Sequence, residues 1–258
     1  MWRDKTVAVV VPAYREERLI GRTLAGIPAW VDAIHVVDDA SPDGTGEAAR
    51  ARARLDSRIR VLRHPQNLGV GAALVTGYRS ALAAGADVIA VMAGDDQMHP
   101  DDLAAVVTPV AEERAHYVKG NRFLHEARAR MPRARRLGGS ALGFLTRRCT
   151  GLAVSDTQCG YTAISAAAVE QLPLHELWPR YGYPNDLLGM LAARGLEVAE
   201  VAVRPVYAGE QSGIRPWHLL TVAGVIARRW HKEQQGRRFG AWWERLGAFT
   251  VRAGSPRV

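Results

Sequence analysis

Short, continuous hydrophobic runs alternate with stretches of helical spacing through the first half of the chain. Residues 6–11 (TVAVVV) are apolar almost without interruption, as a strand buried on both faces requires. Leu19, Ile20, Thr23, Leu24 and Ile27 then recur at helical spacing, and Pro28 ends the pattern. The alternation continues with strands predicted over 33–37, 59–62 and 88–92 and helices over 44–55 and 68–84. Asn67 is expected to cap the second of these helices and Gly85 to end it, while Pro100, Asp101 and Asp102 start another. This rhythm predicts an α/β fold, a mainly parallel twisted sheet with helices on both faces and ligands at the carboxyl ends of its strands. The second half is less regular, with strands at 117–119 and 197–203, an arginine-rich segment, a turn at DTQCGY and a helix over 185–194. There is no internal repeat and no low-complexity linker. Residues 1–215 therefore read as one domain of two halves, 1–115 and 116–215, followed by an amphipathic helical segment over 216–258.

Polar residues collect where the predicted strands end. VPAYREE places Pro12, Tyr14 and Glu16 beyond the first strand, where a nucleobase can lie on the Tyr14 ring and Glu16 can accept a hydrogen bond from base or ribose. Acidic residues here equally suit a helix N-terminus. In VVDDASPDGT, Asp38 and Asp39 leave a buried strand together, and adjacent carboxylates in such a place are costly unless they bind something. Asp43 reads as a cap for the next helix. In VMAGDDQMHP, Gly94 lets the backbone bend, and Asp95, Asp96, Gln97 and His99 follow. Magnesium and manganese want oxygen ligands and share them with substrate phosphates, which makes Asp95 the first candidate ligand, with Gln97 or His99 contributing. NLGVGAALVTGY is not a dinucleotide fingerprint, because Leu74 stands where GxGxxG needs its third glycine; its small residues suit close helix–sheet packing.

Charge and cysteine usage narrow the partners. A formal net charge of +8 in 258 residues favours an anionic partner. The basic residues lack the aromatic interleaving of a strand-binding platform, which sets nucleic acid aside. Cys149 and Cys159 form no CxxC pair, so a reducing, cytoplasmic compartment is expected rather than a disulfide scaffold. The N-terminal apolar run is too short for a signal peptide, and no stretch reaches the ~20 apolar residues of a membrane span. The chain is expected to be soluble, or peripheral at the inner face of a membrane.

In combination and in this order, the motifs resemble those of the family 2 glycosyltransferases of the GT-A fold, and within them the polyprenyl-phosphate (dolichol-phosphate-mannose-synthase-like) sugar transferases, over about residues 7–213. VPAYREE looks like the family's VPxYNE, VVDDASPDGT like VDDxSxDGT, NLGVGAA like NxGxGxA, and DTQCGYTAIS like D-x-x-x-G-[FY]. VMAGDDQMHP stands where the family has DxDxQ, with the first aspartate replaced by Ala93 and the second aspartate and glutamine falling on Asp95 and Gln97. That replacement weakens the metal site or shifts its load to Asp96 or His99.

The resemblance implies a Rossmann-like nucleotide-binding half, an acceptor half, and inverting transfer of a sugar from a UDP- or GDP-linked donor. Mg2+ or Mn2+ and nearby arginines would neutralise the leaving diphosphate. A hydroxyl acceptor needs a general base; Asp186 in YPNDLL stands where hydroxyl-using relatives carry theirs, Asp156 is the other candidate, and Asp186 equally suits a helix N-terminus. An ionised phosphate acceptor needs guanidinium groups instead. Arg122 and Arg136 are the arginines between 121 and 148 expected to touch it, with Gln158 nearby. Arginine density favours polyprenyl phosphate as acceptor. A soluble hydroxylated or amino metabolite is the alternative, and a catalytically degraded nucleotide-sugar-binding protein is an alternative of another class. Glu210, Ser212 and Gly213 look like a cover over the donor phosphates. The apolar stretch 217–226, flanked by Arg215, Arg228, Arg229 and Trp230, reads as a membrane-interface helix, a buried packing helix or a homodimer contact, and Trp242 and Trp243 beside Arg245 repeat that mixture.

Overall fold

The computed structural model describes residues 1–131, 133–206 and 220–234. Strand β1 (Val7–Ala13) lies inside a sheet of seven strands among those residues. Its odd and even positions feed two different cores. Val7, Val9 and Val11 pack with Ile20 and Leu24 of α1 (Ile20–Gly26) and with Leu103, Val106 and Val107 of α4 (Leu103–Ala111). Ala8 and Val10 pack on the other face with Leu74 and Tyr78 of α3 (Val70–Ala83) and Leu187 and Leu188 of α7 (Tyr183–Ala193). Period-two alternation of side chains makes an unbroken apolar run a strand covered on both sides, and each fully buried Val or Leu contributes roughly 1.5–3 kcal/mol. Gly77 of α3 faces the Val10 side chain, where any Cβ would collide, so the helix approaches β1 closely as its small residues predict.

The remaining elements are β2 (Ala33–Asp38), α2 (Thr45–Ala53), β3 (Ile59–Arg63), β4 (Val88–Val91), β5 (Tyr117–Asn121), α5 (Arg133–Thr150), β6 (Thr162–Ser165), α6 (Ala166–Gln171) and β7 (Val198–Ala202). A helical segment over 220–234 is α8. The sheet order is β3-β2-β1-β4-β6-β5-β7. All neighbours run parallel except β6, which is antiparallel to both β4 and β5. This one reversal matters for the site. Residues preceding β6 emerge at the same edge as residues following β1, β2, β4, β5 and β7.

Several local expectations are corrected. The arginine-rich segment is the long helix α5, held by Leu142 packing with Val222 and Ile226 of α8. Gly138, Gly139 and Gly143 lower its intrinsic propensity, so tertiary contact rather than local preference makes it helical. Strand β6 follows the DTQCGY turn and was not marked by any long apolar run. Asn67 does not cap α3. The helix begins after Gly69 (φ +97), and Asn67 instead donates to the Asp39 carbonyl and accepts from Arg180. Gly85 does follow the end of α3 in a left-handed conformation, φ +77. The segment 217–226 is packed where it is described: Val222, Val225 and Ile226 are buried, while Leu220 is exposed.

Candidate active site

The residues expected on the donor side sit on the loops after β1 and β2. Tyr14 is 40% exposed, with the Arg15 guanidinium 5.4 Å from its ring centroid. The Glu16 amide donates to Thr45 Oγ1 (2.8 Å), which ties this loop to α2. Pro12 lies near the end of β1, and its carbonyl accepts the Gly94 amide at 3.1 Å. Asp38 is fully buried; Oδ1 accepts the Ser41 amide (2.9 Å), while Oδ2 lies 3.3 Å from the Arg63 guanidinium without a hydrogen bond. The buried Asp39 carboxylate accepts the amides of Leu68 (2.9 Å) and Gly69 (2.7 Å), and His64 Nδ1 lies 2.7 Å away. His64 Nε2 in turn meets Thr76 Oγ1 at 2.9 Å. Asp39 therefore staples the loop leading into α3. His64 was missed in the sequence; a polar ring directly after a strand was its only signal.

The loop after β4 is bent as Gly94 allowed. Gly94 is wedged against Ile20 and Ala13, and its carbonyl accepts Thr23 Oγ1 at 3.2 Å. Asp95 Oδ1 accepts the Gln97 amide (3.1 Å), a local turn that fixes its carboxylate near the end of β4. Asp96 has φ +57 and pairs with Arg22 at 3.3 Å on the surface. Arg204, on the loop after β7, closes this side. Its amide donates to Asp102 (2.7 Å), and its guanidinium lies 3.2 Å from both ring nitrogens of His99. A cation in that position does not suit His99 as a metal ligand. Among the described residues no group of three His, Cys, Asp or Glu is arranged to hold a metal. An ion that takes one or two protein carboxylates and completes its shell with substrate phosphates needs no such cage. Asp95 fits that role.

Two buried carboxylates lie on the other half, each in its own network. Asp156 is fully buried and accepts Arg122 through the amide (3.0 Å), Nε (2.8 Å) and Nη2 (2.9 Å). Burial opposes its ionisation, but the Arg122 hydrogen bonds and charge prevail and hold it below the usual carboxylate range. A depressed folded value contributes stability that is present above the unfolded value of about 3.9 and is lost as pH falls through the folded one. Truncating Arg122 removes its side-chain hydrogen bonds and charge, while burial, the residue-122 amide and the Lys119 charge remain, so the depression shrinks. Arg122→Ala is therefore expected to begin acid unfolding at a higher pH than the parent, followed by circular dichroism; superimposable curves would contradict this. Lys119 is also fully buried and donates to the Cys159 carbonyl, and burial pushes its ammonium below its ordinary value. Gln158 donates to Asn185 Oδ1 at 2.7 Å. Arg136 is exposed on the face of α5 that carries Gly139, and Gly139 lies against the Phe123 ring beside Arg122.

Asp186 is fully buried in the first turn of α7. Arg229 of α8, itself 2% exposed, donates to it from Nε (2.8 Å) and Nη2 (3.0 Å), and the Trp178 amide donates at 2.8 Å. The same stretch of chain reaches the start of α3. The Pro179 carbonyl accepts the Gly71 amide (2.8 Å), and Arg180 donates to Asn67 (3.1 Å).

Residues 8–172 match the sequence profile of "Glycosyl transferase family 2". The chain belongs to that family. This family 2 glycosyltransferase is 29% identical over 79% of its length to the UDP-N-acetylglucosamine–dolichyl-phosphate N-acetylglucosaminyltransferase of Methanococcus voltae, covering 87% of that protein. It is 30% identical to the undecaprenyl-phosphate mannosyltransferase of Micrococcus luteus, over 76% of this chain and 82% of that one. Its structure superposes on glucosyl-3-phosphoglycerate synthase of Mycobacterium tuberculosis, solved with Mn2+, UDP-glucose and phosphoglyceric acid (TM-score 0.69, 25% identity, 88% of this chain and 80% of that). The fold of this glycosyltransferase is GT-A. Glu210, Ser212, Gly213, Arg215, Trp217, Trp242, Trp243 and Arg245 lie outside the described residues. No helix among the described residues is long and apolar enough to cross a membrane.

Proposed function

We propose that this glycosyltransferase moves a sugar, with inversion, from a UDP-linked donor to an acceptor carrying an ionised phosphate, with Mn2+ held by Asp95 and the donor diphosphate. One observation carries the acceptor reading: both candidate base carboxylates, Asp156 and Asp186, are committed to buried ion pairs with arginines. A phosphate oxygen attacking the anomeric carbon has no proton to lose and needs guanidinium groups, which Arg122 and Arg136 supply. As the diphosphate leaves, its growing charge is offset by the cation, the largest contribution such a site can make. Asp39 and Asp38 shape the base and ribose side, and Tyr14 offers a flat ring to the base.

Two sources supply a phosphate. The neighbour solved with donor and metal also holds phosphoglyceric acid, a soluble molecule with a free hydroxyl beside its phosphate, which supports a soluble small-molecule acceptor over the polyprenyl phosphate expected from the motifs and makes that hydroxyl the rival nucleophile. Polyprenyl phosphate is the second reading, favoured by the names of the curated relatives. Incubation with UDP-glucose and Mn2+ and either 3-phosphoglycerate or farnesyl phosphate separates them, with product mass and anomeric configuration read by mass spectrometry and NMR. Attack by phosphate is expected to give a sugar phosphodiester of inverted configuration; a sugar carried on the hydroxyl of 3-phosphoglycerate, with its phosphate still a monoester, makes the hydroxyl the nucleophile and overturns the phosphate reading. Product with farnesyl phosphate alone moves the acceptor to lipid. No product with either, while UDP is still bound, sinks the phosphate reading. UDP at ~100 times its Kd should stabilise the fold by roughly 2.7 kcal/mol, which thermal denaturation detects.

A further inference from the structure

A third acidic network, partly buried, joins the segments that carry Arg122 and Asp156, and its centre is Glu200 of β7. Glu200 Oε1 accepts the amides of Ser155 (2.8 Å) and Asp156 (3.0 Å). Its Oε2 accepts Ser155 Oγ (3.0 Å) and Asn121 Nδ2 (2.8 Å). Asn121 Oδ1 then accepts the Phe123 amide at 2.8 Å, which fixes the backbone on the far side of Arg122. The hydrogen bonds of this carboxylate thus fall on the 155–156 loop and on Asn121 at the end of β5, the two segments that meet in the Arg122–Asp156 pair. Glu200 stands opposite buried Lys119 in the ladder and its charge favours the ammonium form, yet its hydrogen bonds go to the 155–156 loop and to Asn121.

We propose that Glu200 is a positioning residue for acceptor binding. It locks the 155–156 loop, Asp156 then holds Arg122 in its forked, two-point geometry, and the guanidinium is presented in one orientation to the acceptor phosphate. The last step rests on the acceptor reading given above; the alignment of Arg122 does not. Charge-assisted bonds to two successive backbone amides fix a loop more tightly than packing alone, and a misplacement of about 1 Å at a binding group can cost up to ~100-fold.

Glu200→Gln preserves shape but turns one acceptor oxygen into a donor that faces the Asn121 amide donor. Two readouts on the full chain test it. The first is the Nε–H resonance of Arg122 in 15N-resolved NMR, without any acceptor. It is expected to lose exchange protection in Glu200→Gln while UDP affinity, by calorimetry with Mn2+, stays within about twofold of the parent. The second is the KM for 3-phosphoglycerate, and separately for farnesyl phosphate, with UDP-glucose as donor. For whichever serves, KM should rise about tenfold with kcat changed less than about threefold. An unaltered Arg122 resonance overturns the positioning role, whatever the acceptor. An altered resonance with unchanged KM for both probes leaves the alignment standing and removes instead the assignment of Arg122 to the acceptor. UDP affinity falling in step with KM overturns the proposal in favour of general loosening of the fold. Glu200→Ala, which removes the acceptors outright, should shift the resonance further in the same direction.

Discussion

Asp95→Asn is expected to lower sugar transfer by at least about 100-fold while leaving the fold intact, because it removes the charged ligand of the ion that stabilises the leaving diphosphate. Asparagine keeps the local turn, since its side-chain oxygen can still accept the Gln97 amide that Asp95 accepts at 3.1 Å. The substitution therefore isolates charge from shape. Asp96→Asn should cost much less, since Asp96 pairs with Arg22 at the surface. A titration of activity against Mn2+ checks both: Asp95→Asn should need far more ion or fail to saturate, and Asp96→Asn should follow the parent curve. The opposite order would mean that Asp96 carries the ion and that the motif is displaced by one residue. Ala93, at the position of the family's first aspartate, gives this test its force, because the load falls on fewer carboxylates.

The second large effect is on stability. Arg229→Met leaves the Asp186 carboxylate buried with only Arg228, 3.6 Å away and half-exposed, to offset its charge, which should cost about 3 kcal/mol. For a chain of this size that is a fall in Tm of roughly 10 °C, measured by calorimetry or circular dichroism. Asp186→Asn should also destabilise, yet its turnover per folded molecule should stay within about tenfold of the parent. If Asp186 were a general base, the same change would lose about 10²–10⁴-fold with UDP binding intact. Pairing Arg229→Met with Asp186→Leu should recover part of the lost stability, since replacing both partners by apolar groups removes the stranded charge.

Much of the donor half was legible because its signals are local. An apolar run such as 7–11 needs no knowledge of the rest of the chain to be a buried strand, and its carboxyl end follows from the βα rhythm. The positions of Asp39 and Asp95 at one sheet edge came from that rhythm alone. The acceptor half hid its order in contacts between distant residues. Helix α5 depends on α8 for its packing, β6 is four residues set between β4 and β5, and neither writes a strong period. Asp186 shows why a motif position is not yet a role, since its partner Arg229 lies on another helix. Glu200 and His64 could be suspected only as polar residues in or beside strands, and Arg204 as a charge following one.

The chain from Trp178 to Arg180 touches Asp186 at one end and the start of α3 at the other. Asp186 reaches its paired state through Arg229 and Arg228 of α8, more than forty residues further along the chain. During synthesis at about 5–20 residues per second, the parallel strands β1 to β4 are complete long before those arginines leave the ribosome. The strands are thus encoded first, and a nascent chain stalled short of residue 228 would carry the sheet while the Asp186 carboxylate at the start of α7 still lacked its guanidinium partners.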